Sequence, residues 1–227
     1  MDVDKTINHA LENGQGSLSE YTAKKILQAF GIPVTREMRC PDAAQAVQAA
    51  ESIAGPVVLK PCSADILHKS ETGCIHLNLT DPGDIEKAGG RIQQQLGKID
   101  ILVQEMIPGS REIVAGLVRD AQFGPCVMLG MGGVLTEVID DTVFRAAPFD
   151  EKEAVDMISQ MRSQKIFASF RGEAPVDIDS LCKILKAVGQ IGVAYPAINE
   201  IDINPLKIRP DGMPVAVDAL MLLSSGA

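Results

Sequence analysis

The sequence predicts a two-lobed protein of the α/β (α+β) class, with a ligand cleft between the lobes. Its 227 residues suit one large domain or two small ones that share a cleft. Helical and strand patterns alternate up to about residue 103, and short strands with Gly, Pro and Asp connections predominate after it. We therefore expect a first lobe at 19–103 and a second lobe at 104–227, preceded by a leader helix and joint at 1–18.

The first lobe is predicted to follow a β-α-β-β-α-β order after one initial helix. Ser19 suits the N-cap of that helix, and Gly31 suits its end. Residues 84–96 have apolar side chains at helical spacing, which indicates an amphipathic helix. The expected elements of the lobe are helices over 19–30, 43–53 and 84–96, and strands over 34–38, 57–60, 75–79 and 101–106.

The second lobe is predicted to be an antiparallel sheet with two helices. Its connections are short and rich in Gly, Pro and Asp, which favours hairpins over crossover connections. The expected strands are 112–118, 126–129, 134–139, 143–147, 198–203, 206–208 and 215–217, and the expected helices are 151–161 and 178–193. Such a run of strands with separate helices is typical of an α+β lobe.

Composition and charge exclude several classes of function. The chain has 21 Lys and Arg against 30 Asp and Glu, and its net charge of −9 repels nucleic acids and anionic membrane surfaces. Aromatic residues make up only 4%, too few for the stacking platforms of single-strand binders. The longest uncharged run, 121–136, is too short to span a membrane. Five cysteines without a CxxC pair favour a cytoplasmic protein that has neither disulfides nor zinc.

Charge is placed unusually at Lys60, which directly follows the apolar run Val57-Val58-Leu59. An ammonium group there needs a partner such as an anionic ligand, unless the side chain reaches solvent. The next segment, 63–73, is rich in hydroxyl groups and contains His68. Such a loop can hold phosphate, although it lacks the P-loop pattern and most polar loops are merely solvated. His68 could carry a phosphoryl group, because a neutral imidazole is nucleophilic near neutral pH.

Two glutamates, Glu105 and Glu112, lie at the ends of the turn that joins two predicted strands. Carboxylates in such positions can accept hydrogen bonds from ribose hydroxyl groups or from an adenine amino group. The alternative interpretation is that both are ordinary exposed acids of a turn. The residues alone leave these two interpretations open.

Carboxylate and amide side chains are clustered near the end of the chain. Glu200, Asp202 and Asn204 alternate along a predicted strand, so they share one face, and Asp218 follows on a later strand. Such oxygen ligands suit Mg²⁺, which is typically bound by one or two carboxylates together with nucleotide phosphates. The alternative is a set of acidic side chains that simply face solvent.

Five segments together resemble the ATP-grasp fold. Within it, they resemble the nucleotide-binding beta subunit of ADP-forming acyl-CoA synthetases, of the acetate-CoA ligase (ADP-forming) type. The segments are LSEYTAKKILQAFGIPV, GPVVLKPCSADILHKSETG, VQEMIPGSREIVAGLVRDAQFGPCVML, FRGEAPVD, and EIDINPL with the later VAVDA. The resemblance spans nearly the whole chain. The chain is similar, more distantly, to the beta subunit of succinyl-CoA synthetase.

This resemblance implies that ATP or ADP binds with Mg²⁺ in the cleft between the lobes. The implied nucleotide-binding residues are Lys60 at the phosphates, Glu105 and the backbone near Ile107 at the adenine, and Glu112 at the ribose, together with Ser70 and Gly73. The implied magnesium ligands are Asp202, Asn204 and Asp218. One departure concerns the loop, since many relatives have two glycines where this chain has Gly73 followed by Cys74. We expect that substitution to stiffen the loop.

The resemblance also implies a reaction and a partner. Phosphate attacks an acyl-CoA to give an acyl phosphate and free CoA, a histidine of an alpha subunit takes the phosphoryl group, and His68 passes it to ADP. That alpha subunit would carry the CoA-binding and ligase domains with the second relay histidine. Two alternatives remain open at this stage. One is an ATP-grasp carboxylate ligase without a histidine relay, and the other is a nucleotide-sensing subunit without catalysis.

Overall fold

The computed structural model describes residues 1–64, 66, 73–133 and 141–224. These residues divide into two compact units, each treated separately below. The smaller unit comprises Ser19–Thr22 and Thr35–Ile107, and the larger unit comprises Met1–Leu18, Ala23–Val34 and Pro108–Ala227. Residues 23–34, which the sequence analysis placed in the first lobe, therefore belong to the larger unit.

Helices begin where the sequence provides capping side chains. Asp2, Asp42, Asp81, Asp150 and Asp177 each accept a hydrogen bond from a first-turn backbone N–H. The described helices are α1 (Val3–Glu12), α2 (Glu20–Ala29), α3 (Ala43–Ser52), α4 (Pro82–Leu96), α5 (Glu151–Ser159) and α6 (Ile178–Ala194), with a short 3₁₀ helix at Gln164–Ile166. In the described part of the chain, no helix is long and apolar enough to cross a membrane.

The smaller unit is a four-stranded antiparallel sheet that packs on α3 and α4. Its strands, in the order β2-β5-β3-β4 across the sheet, are β2 (Glu37–Cys40), β5 (Asp100–Glu105), β3 (Val57–Cys62) and β4 (His76–Leu79). Every residue of β3 is buried, including Lys60. Ile85, Ile92, Ile101 and Val103 are among the apolar side chains that form its core.

The larger unit is built on a seven-stranded antiparallel sheet. The order across the sheet is β1-β11-β9-β6-β7-β8, and β10 pairs with β9. Its strands are β1 (Ser17–Leu18), β6 (Arg111–Asp120), β7 (Gly124–Met131), β8 (Thr142–Ala146), β9 (Ile198–Ile208), β10 (Pro214–Ala216) and β11 (Leu220–Leu223). Helix α6 packs across β6, β7 and β9, and Val3, Ile7 and Ala10 of α1 join the same core. The predicted leader is thus part of this core.

Several elements differ from the predictions. The strand expected at 34–38 begins only at Glu37, because Val34 makes an isolated bridge to Ala216 instead. The strands expected at 198–203 and 206–208 form one continuous strand, β9, whose register shifts where Val114 faces both Asn204 and Pro205. Proline cannot donate a ladder hydrogen bond, so a local irregularity accommodates it without ending the strand. The strand expected at 134–139 lies outside the described residues.

Candidate functional site

The candidate site residues are distributed over both units. Lys60, Gly73, Glu105 and Ile107 lie in the smaller unit, and Glu112, Asp202, Asn204 and Asp218 lie in the larger one. His68 and Ser70 lie outside the described residues.

Lys60 has an ionic partner within the smaller unit. Its Nζ lies 3.0 Å from Glu20 Oε1, and the two side chains are only 5% and 0% exposed. The side chain therefore does not reach solvent, which rules out one of the two interpretations of this lysine. A buried carboxylate compensates its charge, and no sequence pattern had pointed to Glu20.

Gly73 marks the end of the predicted phosphate loop. Its φ of +66° is a conformation that glycine adopts without strain. The next residue, Cys74, is fully buried, and its Sγ lies 2.9 Å from Gln95 Oε1 of α4. The chain thus re-enters the core directly after Gly73, so this end of the loop is anchored.

Glu105 ends strand β5, and its carboxylate is held by Arg36. Oε1 accepts from the Arg36 backbone N–H at 2.8 Å, and Oε2 accepts from Arg36 Nε at 2.9 Å. Glu105 is therefore not the exposed turn acid of the alternative interpretation. Ile107 is also buried, and among the described residues its backbone N–H has no hydrogen-bond partner. A backbone donor of this kind can pair with a ring nitrogen of a planar base.

Glu112 on β6 is partly exposed and faces a cation. Its Oε1 lies 3.5 Å from the Nζ of Lys207, which is the directly opposite residue on β9. The Gly132 N–H donates to the Glu112 carbonyl at 3.1 Å, and a Cβ at Gly132 would lie only 2.9 Å from the Glu112 carbonyl carbon. The glycine run therefore permits a close approach of two backbones beside Glu112.

Next to Glu112 is a cavity of about 330 Å³ whose wall is organised by Arg111. This buried arginine pairs with Glu173 at 3.1 Å, and it also donates to the backbone carbonyls of Ile166, Ala168 and Ala174. Ser110 also donates to Glu173. One guanidinium group thereby ties the segment around 166–174 to the start of β6.

The acidic cluster of the larger unit is arranged as the alternation predicted. Glu200, Asp202 and Asn204 line one cavity of about 300 Å³, which Ile201 also borders, and both Ile201 and Ile203 are almost fully buried. The Asn204 side chain donates a hydrogen bond to the Asp202 carboxylate. Asp218 follows β10 and is close enough to affect Asp202 electrostatically.

The electrostatics of this cluster favour a bound cation. The pKa of Asp202 is raised to about 6, first by burial and then by the neighbouring carboxylates Glu200 and Asp218, against the opposing effect of the Asn204 hydrogen bond. Among the described residues, no three His, Cys, Asp or Glu side chains form a metal site by themselves. The donors are hard oxygen ligands, so they fit Mg²⁺ that also takes ligands from nucleotide phosphates.

This cluster should make stability depend on pH. The raised pKa means that, between 3.8 and about 6, the folded chain holds a proton that the unfolded chain releases. The free energy of unfolding therefore falls as the pH rises through this window. Without metal, we expect Asp202→Asn to be more stable than the parent by about 1–2 kcal/mol at about pH 8, with allowance for solvent screening.

Urea unfolding at several pH values, in the presence of a chelator, measures this effect. The difference between Asp202→Asn and the parent should nearly vanish at about pH 4, where both side chains are neutral. Asp179→Asn, in the first turn of α6, is a control for the loss of one carboxylate. A pH-independent difference would contradict the electrostatic explanation.

A second buried lysine lies close to the acidic cluster. Lys24 of α2 is fully buried, and its Nζ donates to the carbonyl of Val217 at 3.0 Å. The Val217 N–H in turn donates to the carbonyl of Pro205. Val217, which precedes Asp218, is therefore bonded to the strand that contains Asn204. Sequence reasoning missed Lys24, because a lysine in an amphipathic helix usually faces solvent.

Several known proteins resemble this chain over most of its length. A family model described as the ATP-grasp domain matches residues 9–223. The chain is 37% identical, over 91% of each protein, to the beta subunit of acetate–CoA ligase (ADP-forming) I from Pyrococcus furiosus. It is also 37% identical to acetate–CoA ligase (ADP-forming) I from Archaeoglobus fulgidus, over 97% of this chain and 33% of that longer protein.

A solved structure also resembles the chain closely. It is the acetyl-coenzyme A synthetase 1 of Ca. Korarchaeum cryptofilum with coenzyme A and Mg-AMPPCP, whose phosphohistidine segment points towards the nucleotide-binding site. The TM-score is 0.87 at 38% identity, over 98% of this chain and 100% of that one. The chain thus spans nearly all of a separate beta subunit and about a third of the longer relative.

Proposed function

We propose, since this chain belongs to the ATP-grasp family, that it is the nucleotide-binding subunit of an ADP-forming acyl-CoA synthetase. The reaction is acyl-CoA + ADP + phosphate ⇌ carboxylic acid + CoA + ATP. The observation that carries the proposal is the oxygen-rich cluster of Asp202, Asn204 and Asp218. The Asp202 carboxylate is repelled there by the carboxylates of Glu200 and Asp218, and a cation with nucleotide phosphates would relieve this repulsion.

The chain's own residues then have distinct tasks in nucleotide binding. Lys60 binds the phosphates, the Ile107 N–H and Glu105 contact the adenine, and Glu112 accepts from the ribose. Because Arg36 already occupies the Glu105 carboxylate, we assign the adenine contact at Glu105 to its backbone carbonyl. Ser70 and Gly73 complete the phosphate contacts.

Asp202, Asn204 and Asp218 would hold Mg²⁺, which neutralises phosphate charge during phosphoryl transfer when it is bound. His68 accepts the phosphoryl group through a ring nitrogen, and the bond from phosphorus to the previous carrier breaks as the new P–N bond forms. An ADP oxygen then attacks the same phosphorus, which releases the neutral imidazole and forms ATP. The earlier steps, on acyl-CoA and phosphate, belong to the partner subunit.

The proposal is tested by reconstitution with the CoA-binding alpha subunit of the same organism. The mixture receives acetyl-CoA, ADP, phosphate and Mg²⁺, and ATP formation is followed with luciferase. We expect ATP only when both subunits are present, and none with a chelator. Nucleotide binding without turnover in the complete mixture would favour a sensing subunit. ATP-dependent condensation of a carboxylate with an amine by this chain alone would favour a direct ligase.

A further inference from the structure

The proposed nucleotide chemistry uses Lys60 but gives no task to its partner, Glu20. Lys60 Nζ and Glu20 Oε1 are 3.0 Å apart, and both side chains are buried. We propose that Glu20 is a positioning residue that directs the Lys60 ammonium towards the nucleotide phosphates. This inference rests on the role proposed above for Lys60.

Stabilisation of the fold does not by itself explain why an ion pair is present at this position. Removing an ammonium and a carboxylate from water costs about as much as their attraction returns, so apolar replacements of buried pairs are often neutral or stabilising. All six residues of β3 are buried, and aliphatic Val57, Val58 and Leu59 precede Lys60. An aliphatic side chain would suit position 60 as well, so the charge itself indicates a task.

The geometry shows how Glu20 can perform this positioning. The Lys60 side chain has a flexible four-carbon stem. Strand β3 therefore fixes the position of the Lys60 backbone, opposite Leu102 of β5, but not the position of the ammonium group. The bond to Glu20 fixes the position of the ammonium group. Glu20 lies in the first turn of α2, where the helix dipole stabilises a carboxylate. An ammonium has three N–H donors, so a bond to Glu20 is compatible with a further bond to a phosphate oxygen.

A carboxylate next to a phosphate site could also act in the opposite sense, by competing with the phosphates for Lys60. The two roles predict opposite results when Glu20 is made neutral. If Glu20 positions Lys60, then Glu20→Gln weakens ATP binding. If Glu20 competes with phosphate, then Glu20→Gln strengthens it.

The test compares Glu20→Gln, Lys60→Met and the double variant in the full chain with Mg²⁺. Calorimetric titrations give the affinities for ATP and, as a probe without phosphates, for adenosine. We expect Glu20→Gln to weaken ATP binding about tenfold or more, as misplaced contact groups do. Lys60→Met should weaken it at least as much, and the double variant should be no worse than Lys60→Met. Adenosine affinity should stay unchanged in all three.

Asp84→Asn is the matched control. Asp84 lies in the first turn of α4 and pairs with Lys87 at 3.3 Å, but the two side chains are 62% and 72% exposed. This variant should keep the parent affinity for ATP. Circular dichroism and thermal melting verify that each variant is folded. Glu20→Asp, which keeps the charge on a shorter side chain, replaces Glu20→Gln if the latter does not fold, and it should show a smaller loss.

The outcomes separate this inference from the function on which it rests. Unchanged or tighter ATP binding by Glu20→Gln would overturn the positioning role. Equal losses of ATP and adenosine affinity would also overturn it, because they would assign Glu20 to the fold alone. Unchanged ATP binding by Lys60→Met would instead contradict the role of Lys60 in the proposed function.

Discussion

Replacing His68 by alanine is expected to abolish phosphoryl transfer through this chain. The segment DILHKS contains His68, and a relative of known structure has a phosphohistidine segment that points towards its nucleotide site. If His68 is the carrier, its loss removes the nucleophile itself, and activity of the reconstituted enzyme should fall by about 10³-fold or more. Nucleotide binding should persist, because the imidazole is not needed to hold adenine, ribose or Mg²⁺.

The measurement uses the chain with Mg²⁺ and ATP labelled at the γ-phosphate. Label that is acid-labile and base-stable identifies phosphohistidine. The chain has three histidines, so His9→Ala is a matched control, since His9 lies exposed on α1. The parent and His9→Ala should be labelled, and His68→Ala should not. If His68→Ala were labelled, or if the parent stayed unlabelled with the partner present, the relay through His68 would be wrong.

Replacing Arg111 by methionine is expected to cause a large loss of stability in the larger unit. Methionine fills much of the same volume but leaves Glu173 without its cation and removes the donors to three carbonyls. Removal of one partner from a buried ion pair costs about 3–5 kcal/mol, because the other charge stays buried. The free energy of unfolding, from urea titration with fluorescence or circular dichroism, should fall by this amount.

Arg39→Met is the control for Arg111. Arg39 pairs with Asp100 at 3.1 Å, but their side chains are 53% and 38% exposed. Surface pairs of this kind contribute less than about 1 kcal/mol, so this variant should unfold near the parent midpoint. A loss at Arg111 no larger than at Arg39 would mean that solvent readily replaces the buried contacts. Because Arg111 also organises the cavity beside Glu112, its substitution should weaken ATP binding as well.

Much of the fold was predictable because local patterns and tertiary packing favour the same elements. The amphipathic pattern predicted over 84–96 and the alternation predicted along 198–203 are visible in the sequence, and the structure forms helix α4 and strand β9 there. The predicted fold family is confirmed by the match to the ATP-grasp domain. The strands β1 and β11 were missed, since strands of two and four residues carry too short a pattern and depend on pairing with each other.

The chemical types at the site were also predictable from the sequence, while their partners were not. Lys60 stands out because it follows an apolar run, Glu112 because it lies at the end of a turn between two strands, and Asp202 because it alternates with other oxygen-bearing side chains along a strand. Their partners Glu20 and Lys207 lie 40 and 95 positions away from Lys60 and Glu112 along the chain. No local period relates residues so far apart, so only the paired strands and packed helices reveal which charges meet.

The sequence by itself determined the fold class, the family and the residue types that we propose for nucleotide chemistry, because these follow from local patterns and from motifs in a set order. Tertiary structure alone decided that Lys60 is buried against Glu20, that Arg36 holds Glu105, and that Lys24 is fully buried. The physical reason is that the energy of a charge depends on its surroundings in three dimensions. Burial removes water from a charged group, and a polar partner from a distant element then takes the place of the water.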